Sequence, residues 1–379
     1  MPIQLVWDHY KVWILTPEVD NPDPHIQVYY DFSESLEEHT RIFSALGLEW
    51  EWLPVRLRNL KRRIARIQPK SAGKTPLVFN LCDGDEVNGA PGISVIRELD
   101  RRRLIYTGAD SAFYDLTSSK IPMKSLFDQC GLPTPAWEVI DPSCRNLSGI
   151  FDRLGRPLII KPAVSGGSMG LSAANVVADE KGLTACLQSL KNGYRGWQLT
   201  TGGIIAERFI TGREFTVLLV GSAAQPENIL CYPAAERIFP DFLPETEQFL
   251  SFDGNWGLYE DDSRGCIEGP FYRYLAPEPE IRARAEQLSL AAYLATGGTG
   301  YGRVDLRMDK TTGQLFVLEV NAQCGLSADE QNASVGAILR LAGKSFQQLH
   351  TEIMQDAVNR IPNRPSSPLT YAQSLRSPT

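Results

Sequence analysis

The 379-residue sequence lacks the features that mark several large classes of protein. It has no run of about 18 apolar residues, which a membrane-spanning helix needs, and no basic segment followed by an apolar run at its start. We therefore expect neither a membrane span nor a signal peptide. Its seven cysteines form no CxxC pair, which favours free thiols over zinc sites or disulfides. Together these absences predict a cytoplasmic protein.

The sequence also lacks a basic stripe or a lysine-rich arm. The net charge is -7, and the basic triplets at 61–63 and 101–103 are short. We therefore expect small-molecule partners and no nucleic acid. With 43% hydrophobic and 22% charged residues, the chain can bury sizeable cores, and its length suits two or three of them.

The order of apolar segments divides the chain into three units and a tail. Strands alternate with helices in residues 1–115, which predicts an α/β unit with a parallel sheet. Residues 116–202 and 203–361 have the mixed order of two α+β units. Residues 362–379 carry four prolines and are expected to be disordered.

Three local patterns predict further structure. Ser35-x-x-Glu38 has the form of a capping box at the start of a helix. The tripeptide TGR at 211–213 lies between two predicted strands and indicates a hairpin. Residues 239–274 contain proline, aspartate, glycine and aromatics, and are expected to form a long irregular connection of the kind that often has a function.

The most informative segment is GYGRVDLRMDKTTGQLFVLEVNAQCG, at residues 300–325. It predicts two strands joined by a turn. Because side chains alternate along a strand, Arg303 and Asp305 share a face, and so do Glu319 and Asn321. Two carboxylates and an amide oxygen are hard ligands of the kind that Mg²⁺ prefers. An arginine–carboxylate network that only closes the hairpin would explain the same residues equally well.

Two further segments place charged residues at strand ends. Lys161 ends an apolar strand, and a Gly/Ser loop follows at 165–170, where glycine lets the backbone approach phosphate oxygens. Glu207 ends another strand, with Glu214 seven residues later. A carboxylate there could accept from a ribose hydroxyl, and the backbone near Arg208 could contact an adenine edge. Taken singly, a flexible loop and a surface salt bridge explain these segments better.

Taken in order, these segments resemble the ATP-grasp superfamily and, within it, the D-alanine–D-alanine ligases. The resemblance covers roughly residues 77–345. It rests on seven ordered motifs: FNLCDGDEVNG (79–89), YTG (106–108), SSKIPMKSLFDQCGLPTPAW (118–137), PLIIKPAVSGGSMG (157–170), AERFITGREFTV (206–217), GYGRVDLRMD (300–309) and FVLEVNAQCGLS (316–327). It implies an ATP-grasp fold of mixed α/β and α+β class, with three domains and ATP between the central and C-terminal ones.

The resemblance implies roles for residues that match the family position by position. ATP would be bound by Lys120, Lys161, Ser165, Gly166, Gly167, Ser168, Glu207, Arg208, Phe209, Ile210, Glu214 and Leu318. Two Mg²⁺ ions, or Mn²⁺ in their place, would be bound by Asp305, Glu319 and Asn321. Arg303 and the backbone N–H of Gly325 would stabilise an oxyanion. Arg208 replaces the family's usual lysine.

The substrate positions depart from the family pattern. Asn255 stands where the family has a lid lysine, and Glu330 stands where it has a serine that helps bind the second substrate. Arg273 or Arg237 could receive an acidic substrate, although an exposed salt bridge is the commoner explanation for either. The candidate substrate contacts are Glu18, Asn255, Trp256, Arg273 and Glu330. We therefore expect a ligase that joins a small carboxylic or amino acid to an amino acid through an acyl phosphate, releasing ADP and phosphate.

Other functions fit the same motifs. One is D-alanine–D-alanine ligase activity itself. Another is a non-catalytic ATP-binding protein that keeps the fold, and a third is a kinase that makes a stable phosphorylated metabolite. The sequence names neither substrate. A homodimer formed through the N-terminal domain is a further implication of the family.

Overall fold

A computed structural model describes residues 7–19, 31–193, 196–252 and 271–360, and the structural statements below refer to these residues. The elements of the N-terminal unit are β1 (Tyr10–Pro17), α1 (Ser33–Ala45), β2 (Glu49–Val55), α2 (Leu60–Ile64), β3 (Thr75–Asn80), α3 (Ile93–Arg101), β4 (Ile105–Tyr106) and α4 (Ser111–Thr117). The strands form a parallel sheet of order β2-β1-β3-β4. The predicted parallel sheet is therefore confirmed.

The central strand β1 is apolar on both faces. Its residues 12–15 are fully buried, as expected for a parallel strand that is covered on both sides. Because β1 and β3 pair in parallel, the segments that follow them emerge at the same edge of the sheet. In open α/β sheets this carboxyl edge is where ligands bind.

The central unit contains a second sheet, whose strands run antiparallel. Its elements are α5 (Lys120–Gln129), β5 (Trp137–Val139), α6 (Ile150–Leu154), β6 (Leu158–Pro162), β7 (Val176–Val177), α7 (Glu180–Asn192) and β8 (Ile204–Arg208). The strand order is β5-β8-β6-β7. Helix α7 is capped by the preceding residue, Asp179, whose side chain accepts from the Gly182 N–H, and it buries one apolar face.

The C-terminal unit is built on a larger antiparallel sheet. Its elements are β9 (Gly212–Val220), β10 (Leu230–Cys231), β11 (Ala235–Ile238), β12 (Arg273–Leu275), α8 (Pro279–Ala295), β13 (Tyr301–Asp309), β14 (Leu315–Ala322), α9 (Ser334–Ala342) and α10 (Phe346–Asn359). The strand order is β12-β11-β9-β13-β14, and β10 pairs with β9.

The last helix, α10, returns to the N-terminal unit. The ring of His350 stacks on Phe79 of β3, with ring centres 4.9 Å apart and planes 4° from parallel. Beyond the end of the helix, Arg360 Nη2 donates to the carbonyl oxygen of Tyr106 on β4 at 3.0 Å. Strand β1 and helix α10 therefore share a hydrophobic core.

The predicted hairpin at 211–213 is wrong. Strand β8 pairs with β5 and β6 in the central sheet, whereas β9 pairs with β11 and β13 in the C-terminal sheet. Residues 204–208 thus belong to the central sheet, although the sequence assigned them to the unit that begins at 203. A turn signal marks a change of direction, but pairing is decided by strands that are distant in sequence.

The predicted capping box at Ser35 is also wrong. Helix α1 begins two residues earlier, at Ser33, and its N-cap Phe32 makes no side-chain hydrogen bond. Glu38 instead contacts Ser327 and Ala328 of the C-terminal unit.

The stretch 239–274 is not wholly irregular, because its last two residues belong to β12. Residues 253–270 of that stretch and the predicted disordered tail, 362–379, lie outside the described residues.

Among the described residues, no helix is both long enough and apolar enough to cross a bilayer. Six of the seven cysteines fall in the described ranges, and these six are free thiols; Cys266 lies outside them.

Candidate active site

The polar residues of the C-terminal hairpin form a grid across three strands. In the antiparallel register of β13 and β14, Asp305 lies opposite Glu319, and Arg303 lies opposite Asn321. On its other side β13 pairs with β9, which places Thr216 beside Asp305. Strand pairing thus brings the four predicted side chains, and Thr216 with them, into one neighbourhood.

A β-bulge shapes β14 at this point. The register shifts after Asp305, so Leu318 has no residue opposite it. Leu318 and Glu319 are adjacent and both partly exposed, whereas Val317 and Val320 on either side of them are buried. Bulges redirect side chains next to functional sites. Here the bulge lets two successive side chains reach solvent.

Asp305 accepts hydrogen bonds from three side chains. Arg303 donates from Nε to Oδ1 at 3.0 Å and from Nη2 to Oδ2 at 2.9 Å. Thr216 Oγ1 and Asn321 Nδ2 each donate at 2.8 Å. Burial alone disfavours the charged form, but the ion pair with Arg303 holds the pKa of Asp305 below its usual range. Asp305 is therefore an ionised carboxylate.

The donor set of the hairpin fits a magnesium ion. Asn321 Nδ2 lies 2.8 Å from Asp305 Oδ2 and 3.4 Å from Glu319 Oε1, so the amide stands between the two carboxylates. A half-turn of the amide would present its oxygen instead. Nowhere in the described ranges do three or more His, Cys, Asp or Glu side chains form a metal-binding group. The candidate ligands are therefore two carboxylates and an amide, a set that Mg²⁺ completes with water and phosphate oxygens.

Lys120, at the start of α5, connects this hairpin to the glycine loop. Its Nζ lies 3.2 Å from Glu319 Oε2. The same nitrogen donates to the Ser165 carbonyl oxygen at 3.3 Å. A lysine, a candidate metal ligand and the start of the Gly/Ser loop thus meet at one point, although they lie far apart in the sequence.

The loop at 165–170 has a backbone suited to close approach by a ligand. Gly167 and Ser168 both have positive φ, 54° and 61°. For Ser168, which has a Cβ, this conformation is uncommon and marks a specialised turn. Gly166 and Gly167 are exposed. The loop can therefore present backbone N–H groups to an anion.

Glu207 is buried between two lysines. Its Oε1 accepts from Lys161 Nζ at 2.6 Å, and its Oε2 pairs with Lys124 Nζ. Burial would raise the pKa of Glu207, but the two lysines outweigh it and hold the pKa below the usual range. Burial also lowers the pKa of Lys124, against the opposing effect of Glu207. The buried carboxylate of Glu207 is therefore paired with two buried ammonium groups, those of Lys124 and Lys161.

Sequence reasoning missed Lys124, whose side chain is 0% exposed. The available signal was its position four residues after Lys120, on the same face of the helix. Lys124 donates to Thr134 Oγ1 at 2.8 Å, and Thr134 donates to the Val317 carbonyl oxygen on β14 at 2.9 Å. In this region Lys120, Lys124 and Lys161 face Glu207 and Glu319, and the unbalanced positive charge suits an anion such as a phosphate.

Replacing Lys124 with Met should destabilise the protein. The change leaves Glu207 with one buried partner, and breaking a buried ion pair costs about 3–5 kcal/mol. We expect urea denaturation to register a loss of about 3 kcal/mol in the free energy of unfolding. Lys181→Met, the same change at an exposed position on α7, should alter it by less than about 0.5 kcal/mol. Equal losses in the two variants would contradict this account of Lys124.

Glu214, which the resemblance implies as a ribose contact, is paired with two arginines. Its Oε1 accepts from Arg237 Nη1, and its Oε2 accepts from Arg307 Nη1 at 3.0 Å. The three residues are cross-strand neighbours on β11, β9 and β13. Such opposite-charge pairs stabilise a sheet. A ribose hydroxyl would have to share the carboxylate with two guanidinium groups.

Arg307, which sequence reasoning also missed, contacts the segment that connects β8 to β9. It donates to the carbonyl oxygen of Ile210, and to that of Gln248 at 2.7 Å. Its guanidinium lies 4.7 Å from the ring centre of Phe209. The predicted adenine contacts are thus held from β13. Strand alternation could have indicated Arg307, because it lies two residues beyond Asp305 and therefore on the same face of β13.

Three predicted contacts pair with charged neighbours instead of standing free. Glu18, just beyond β1, lies 2.9 Å from Arg56 Nε. Arg208 Nη2, on an exposed side chain, lies 3.7 Å from Asp309 Oδ2. Glu330 has a side chain that is 58% exposed, and its Oε2 lies 3.9 Å from an arginine of α9. Asn255 and Trp256 lie outside the described residues.

Arg273 lies on the outer strand of the sheet, away from the ion pairs. It is exposed, while the next residue, Tyr274, is buried and its hydroxyl accepts from Arg237 Nη2 at 2.8 Å. Because successive residues face opposite sides of a strand, Arg273 points away from Arg237. Arg237 itself is already paired with Glu214. Neither arginine is placed as a ready receptor for an acidic substrate.

Two donors remain for an oxyanion. Arg303 Nη1, which Asp305 does not use, donates one N–H to Ser334 Oγ at 3.3 Å and keeps a second N–H. Gly325 is exposed beyond the end of β14, and a Cβ built there would meet nothing within 4 Å. Among the described residues, its N–H donates to no backbone carbonyl. Both groups are therefore available to a ligand.

Comparison with known proteins agrees with this arrangement. Residues 126–355 match the sequence profile of the family described as D-ala D-ala ligase C-terminus. The D-alanine–D-alanine ligase of Bordetella avium is 30% identical over 260 residues, which are 68% of this chain and 72% of that protein. The enzyme of the same name from Xanthomonas axonopodis pv. citri is 29% identical over 283 residues, 74% of this chain and 78% of that protein.

Solved structures agree at the level of the fold. The D-alanine–D-alanine ligase of Bacillus anthracis complexed with ATP has a TM-score of 0.64 and 17% identity, and covers 93% of this chain and 99% of that chain. A second structure of that protein has a TM-score of 0.66 and 18% identity, and it covers the same shares of the two chains. The predicted ATP-grasp fold is confirmed. The chain belongs to the D-alanine–D-alanine ligase family of ATP-grasp enzymes, which form carbon–nitrogen bonds.

Proposed function

We propose that this protein is an ATP-dependent ligase that converts a small carboxylic or amino acid into an acyl phosphate and joins it to an amino acid as an amide. The observation that carries the proposal is the 3.2 Å approach of Lys120 Nζ to Glu319 Oε2. A triphosphate at this point would have lysines and the glycine loop on one side and candidate magnesium ligands on the other. The ATP in the B. anthracis relative supports the choice of nucleotide.

In the first step, an oxygen of the acid's carboxylate attacks the γ-phosphorus of ATP. The bond from that phosphorus to the bridging oxygen breaks, and ADP leaves. Phosphoryl transfer depends chiefly on positioning and charge neutralisation. Lys120 and Lys161 supply positive charge, and Glu207 holds Lys161 in place. Mg²⁺ bound by the hairpin ligands would neutralise further phosphate charge.

In the second step, the amine attacks the carbonyl carbon of the acyl phosphate. The bond from this carbon to the phosphate oxygen breaks, phosphate leaves, and the nitrogen loses a proton. The oxyanion of the tetrahedral intermediate would accept from Arg303 Nη1 and from the Gly325 N–H. In other enzymes a single donor of this kind is worth about 3 kcal/mol. Asp305 occupies the other edge of the guanidinium and so orients Nη1.

Synthesis of D-alanyl-D-alanine is the second candidate, and the names of the Bordetella and Xanthomonas relatives favour it. Two positions argue for other substrates. Glu330 stands at the family's serine, and Asn255 stands at the family's lid lysine. A carboxylate cannot bind the carboxylate of a second amino acid as a serine hydroxyl does, because like charges repel.

Products released from defined substrate pairs would test the proposal. The purified protein is incubated with Mg·ATP and pairs of small acids and amino acids, with D-alanine alone as one arm. We expect one pair to yield ADP, phosphate and an amide in equal amounts, with the amide identified by mass spectrometry. A phosphorylated metabolite without an amide would indicate a kinase. ATP binding without any ADP formation over the whole screen would indicate the non-catalytic alternative.

A further inference from the structure

The segment that carries Gly325 is held by the N-terminal unit. After β14 ends at Ala322, residues 323–333 form no helix or strand. The Gln323 N–H still donates to the Tyr301 carbonyl oxygen of β13 at 3.1 Å, but beyond it the regular hydrogen bonds of a sheet do not fix this backbone. Gly325 has no packing of its own, since it is exposed and a Cβ there would meet nothing within 4 Å. The position of its N–H must therefore be set by the residues on either side.

Gln323 fixes the segment on one side. It is 1% exposed and its φ is 53°, a conformation that residues with a Cβ seldom adopt. Its Nε2 donates to the Cys82 carbonyl oxygen at 2.8 Å, and its Oε1 accepts from Asn80 Nδ2 at 3.3 Å. Strained backbone of this kind persists only where the surroundings hold it. Here Asn80 and Cys82, at the carboxyl end of β3, do so.

The segment that packs against the Gln323 side chain leaves space for it by having a glycine at the point of contact. Gly108, in the YTG motif, lies so close that a Cβ there would stand 2.4 Å from Gln323 Oε1. Gly108 also has a φ of 87°, which favours glycine. Asn80 is fully buried, and its Oδ1 accepts from the Cys82 N–H at 3.2 Å. Two motifs of the N-terminal unit, FN at 79–80 and YTG, thus meet at Gln323.

Glu38 fixes the segment on the other side. Its Oε1 accepts from the Ala328 N–H at 3.1 Å and from Ser327 Oγ at 3.3 Å. Glu38 belongs to α1, which is nearly 290 residues away in the chain. Gly325 therefore lies between two anchors, two residues after Gln323 and two residues before Ser327.

We propose that Gln323 and Glu38 are positioning residues that hold the Gly325 N–H where the oxyanion of the second step forms. They touch neither ATP nor the reacting atoms, and they act by fixing segment 323–328 against the N-terminal unit. The inference rests on the proposed ligase function. It makes the N-terminal unit part of the machinery for amide formation, in addition to any substrate contact at its sheet edge.

Loss of an anchor should slow the second step and spare the first. In Glu38→Ala and Gln323→Gly, acyl phosphate would still form, because Lys120, Lys161 and the hairpin ligands are unchanged. It would wait longer for the amine, and water would hydrolyse part of it to the free acid and phosphate. We expect amide formation to fall roughly tenfold or more, since one oxyanion donor contributes up to 10²–10³ in kcat. The ratio of ADP to amide should rise above one, while KM for ATP changes less than about twofold.

Matched variants separate positioning from simple loss of stability. Glu37→Ala removes the neighbouring exposed carboxylate of α1 and should behave as the parent. Glu38→Gln keeps an acceptor oxygen for Ala328 and Ser327 and should restore much of the coupling. If Gln323→Gly fails to fold, the comparison of Glu38→Ala with Glu38→Gln tests the proposal by itself. A proportional fall of ADP and amide, with the ratio still one, would overturn the proposal.

Hydrogen–deuterium exchange tests the same point without turnover. Amides in residues 324–328 should exchange faster in Glu38→Ala and Gln323→Gly than in the parent and in Glu37→Ala. Unchanged exchange would refute the anchoring role even if no substrate pair is found. Failure of the proposed function would appear differently, as a parent protein that anchors the segment yet forms no amide.

Discussion

Replacing Glu319 with Gln should reduce the kcat for amide formation by about a thousandfold. Glu319 is one of the two candidate magnesium carboxylates, and its Oε2 is also 3.2 Å from Lys120 Nζ. Gln keeps the shape but removes the negative charge that a divalent cation requires. Metal neutralisation of phosphate charge contributes several kcal/mol to such transition states, and each 1.36 kcal/mol corresponds to a factor of about ten in rate.

The same substitution should leave the fold intact. The Glu319 side chain is 29% exposed, so its ion pair with Lys120 contributes little stability. Glu227→Gln is a matched control, because it makes the same change on an exposed carboxylate outside the site. The rise in melting temperature on adding Mg·ATP, which measures ligand binding by linkage, should shrink in Glu319→Gln and persist in Glu227→Gln. A Glu319→Gln variant that keeps more than a tenth of the parent's kcat would remove Glu319 from the proposed ligands.

Two buried histidines should together withdraw about 4–5 kcal/mol from the free energy of unfolding when the pH is lowered from 6.5 to 4.5. His39 on α1 and His350 on α10 lie with ring centres 4.9 Å apart. Their Nδ1 atoms are 2.7 and 2.8 Å from the carbonyl oxygens of Ser35 and Phe346. A carbonyl only accepts, so each Nδ1 carries a proton and each Nε2 has a lone pair. Within the described ranges both Nε2 atoms are buried without a partner.

The direction of the pH effect follows from these contacts. Burial lowers the pKa of His39 to about 4 and that of His350 to about 3, and the mutual repulsion of the pair adds to the shift of His350. Unfolded histidine has a pKa of about 6.5, so below that pH the unfolded state takes up protons first. The histidine contribution to stability is full above pH 6.5 and falls as pH decreases, by about 1.4 kcal/mol per pH unit for each histidine, until the folded-state pKa values are reached.

Substitution of either histidine should flatten this dependence. His350→Phe and His39→Phe replace the titrating ring by one of similar shape in an aromatic cluster. Each should remove about 1.4 kcal/mol per pH unit from the slope of unfolding free energy between pH 6.5 and 4.5. The slope is taken from urea denaturation at several pH values, so a constant loss of stability does not affect it. His9→Phe, at an exposed histidine, should leave the slope unchanged. Parallel curves for His350→Phe and the parent would contradict this account.

Glu38, next to His39, acts in the opposite direction. Burial raises its pKa, so its protonation favours the folded state as pH falls. Because Glu38 is present in the parent and in both histidine variants, its contribution cancels from the comparison.

Local sequence patterns were sufficient to predict which residues of the hairpin strands share a face at the site. Alternation along β13 and β14 predicted that Arg303 and Asp305, and then Glu319 and Asn321, share a face, because side-chain direction in a strand depends only on position. The order of the motifs was sufficient to predict the family and the fold. The glycine loop after Lys161 was predicted from composition, since glycine is needed wherever a backbone must approach an anion.

Contacts between distant segments could not be predicted in this way. The sequence contains no signal that Glu38 of α1 would hold Ser327, or that Gln323 would reach Asn80. The capping-box and hairpin predictions failed for the same reason. A Ser-x-x-Glu pattern and a glycine turn describe only neighbours in the chain, while the partners of Glu38 and of β8 lie in other segments.

The sequence by itself therefore determined the reaction class, the two strands of the hairpin at 300–325 and the identity of the charged residues at strand ends. Only the tertiary structure decided how those charges are paired. Glu207 received two lysines and Glu214 received two arginines. The physical reason is that burial makes an unpaired charge costly, so each buried carboxylate takes whichever cations the packing of the sheets and of α5 brings near it. That choice depends on the whole fold, and no local pattern encodes it.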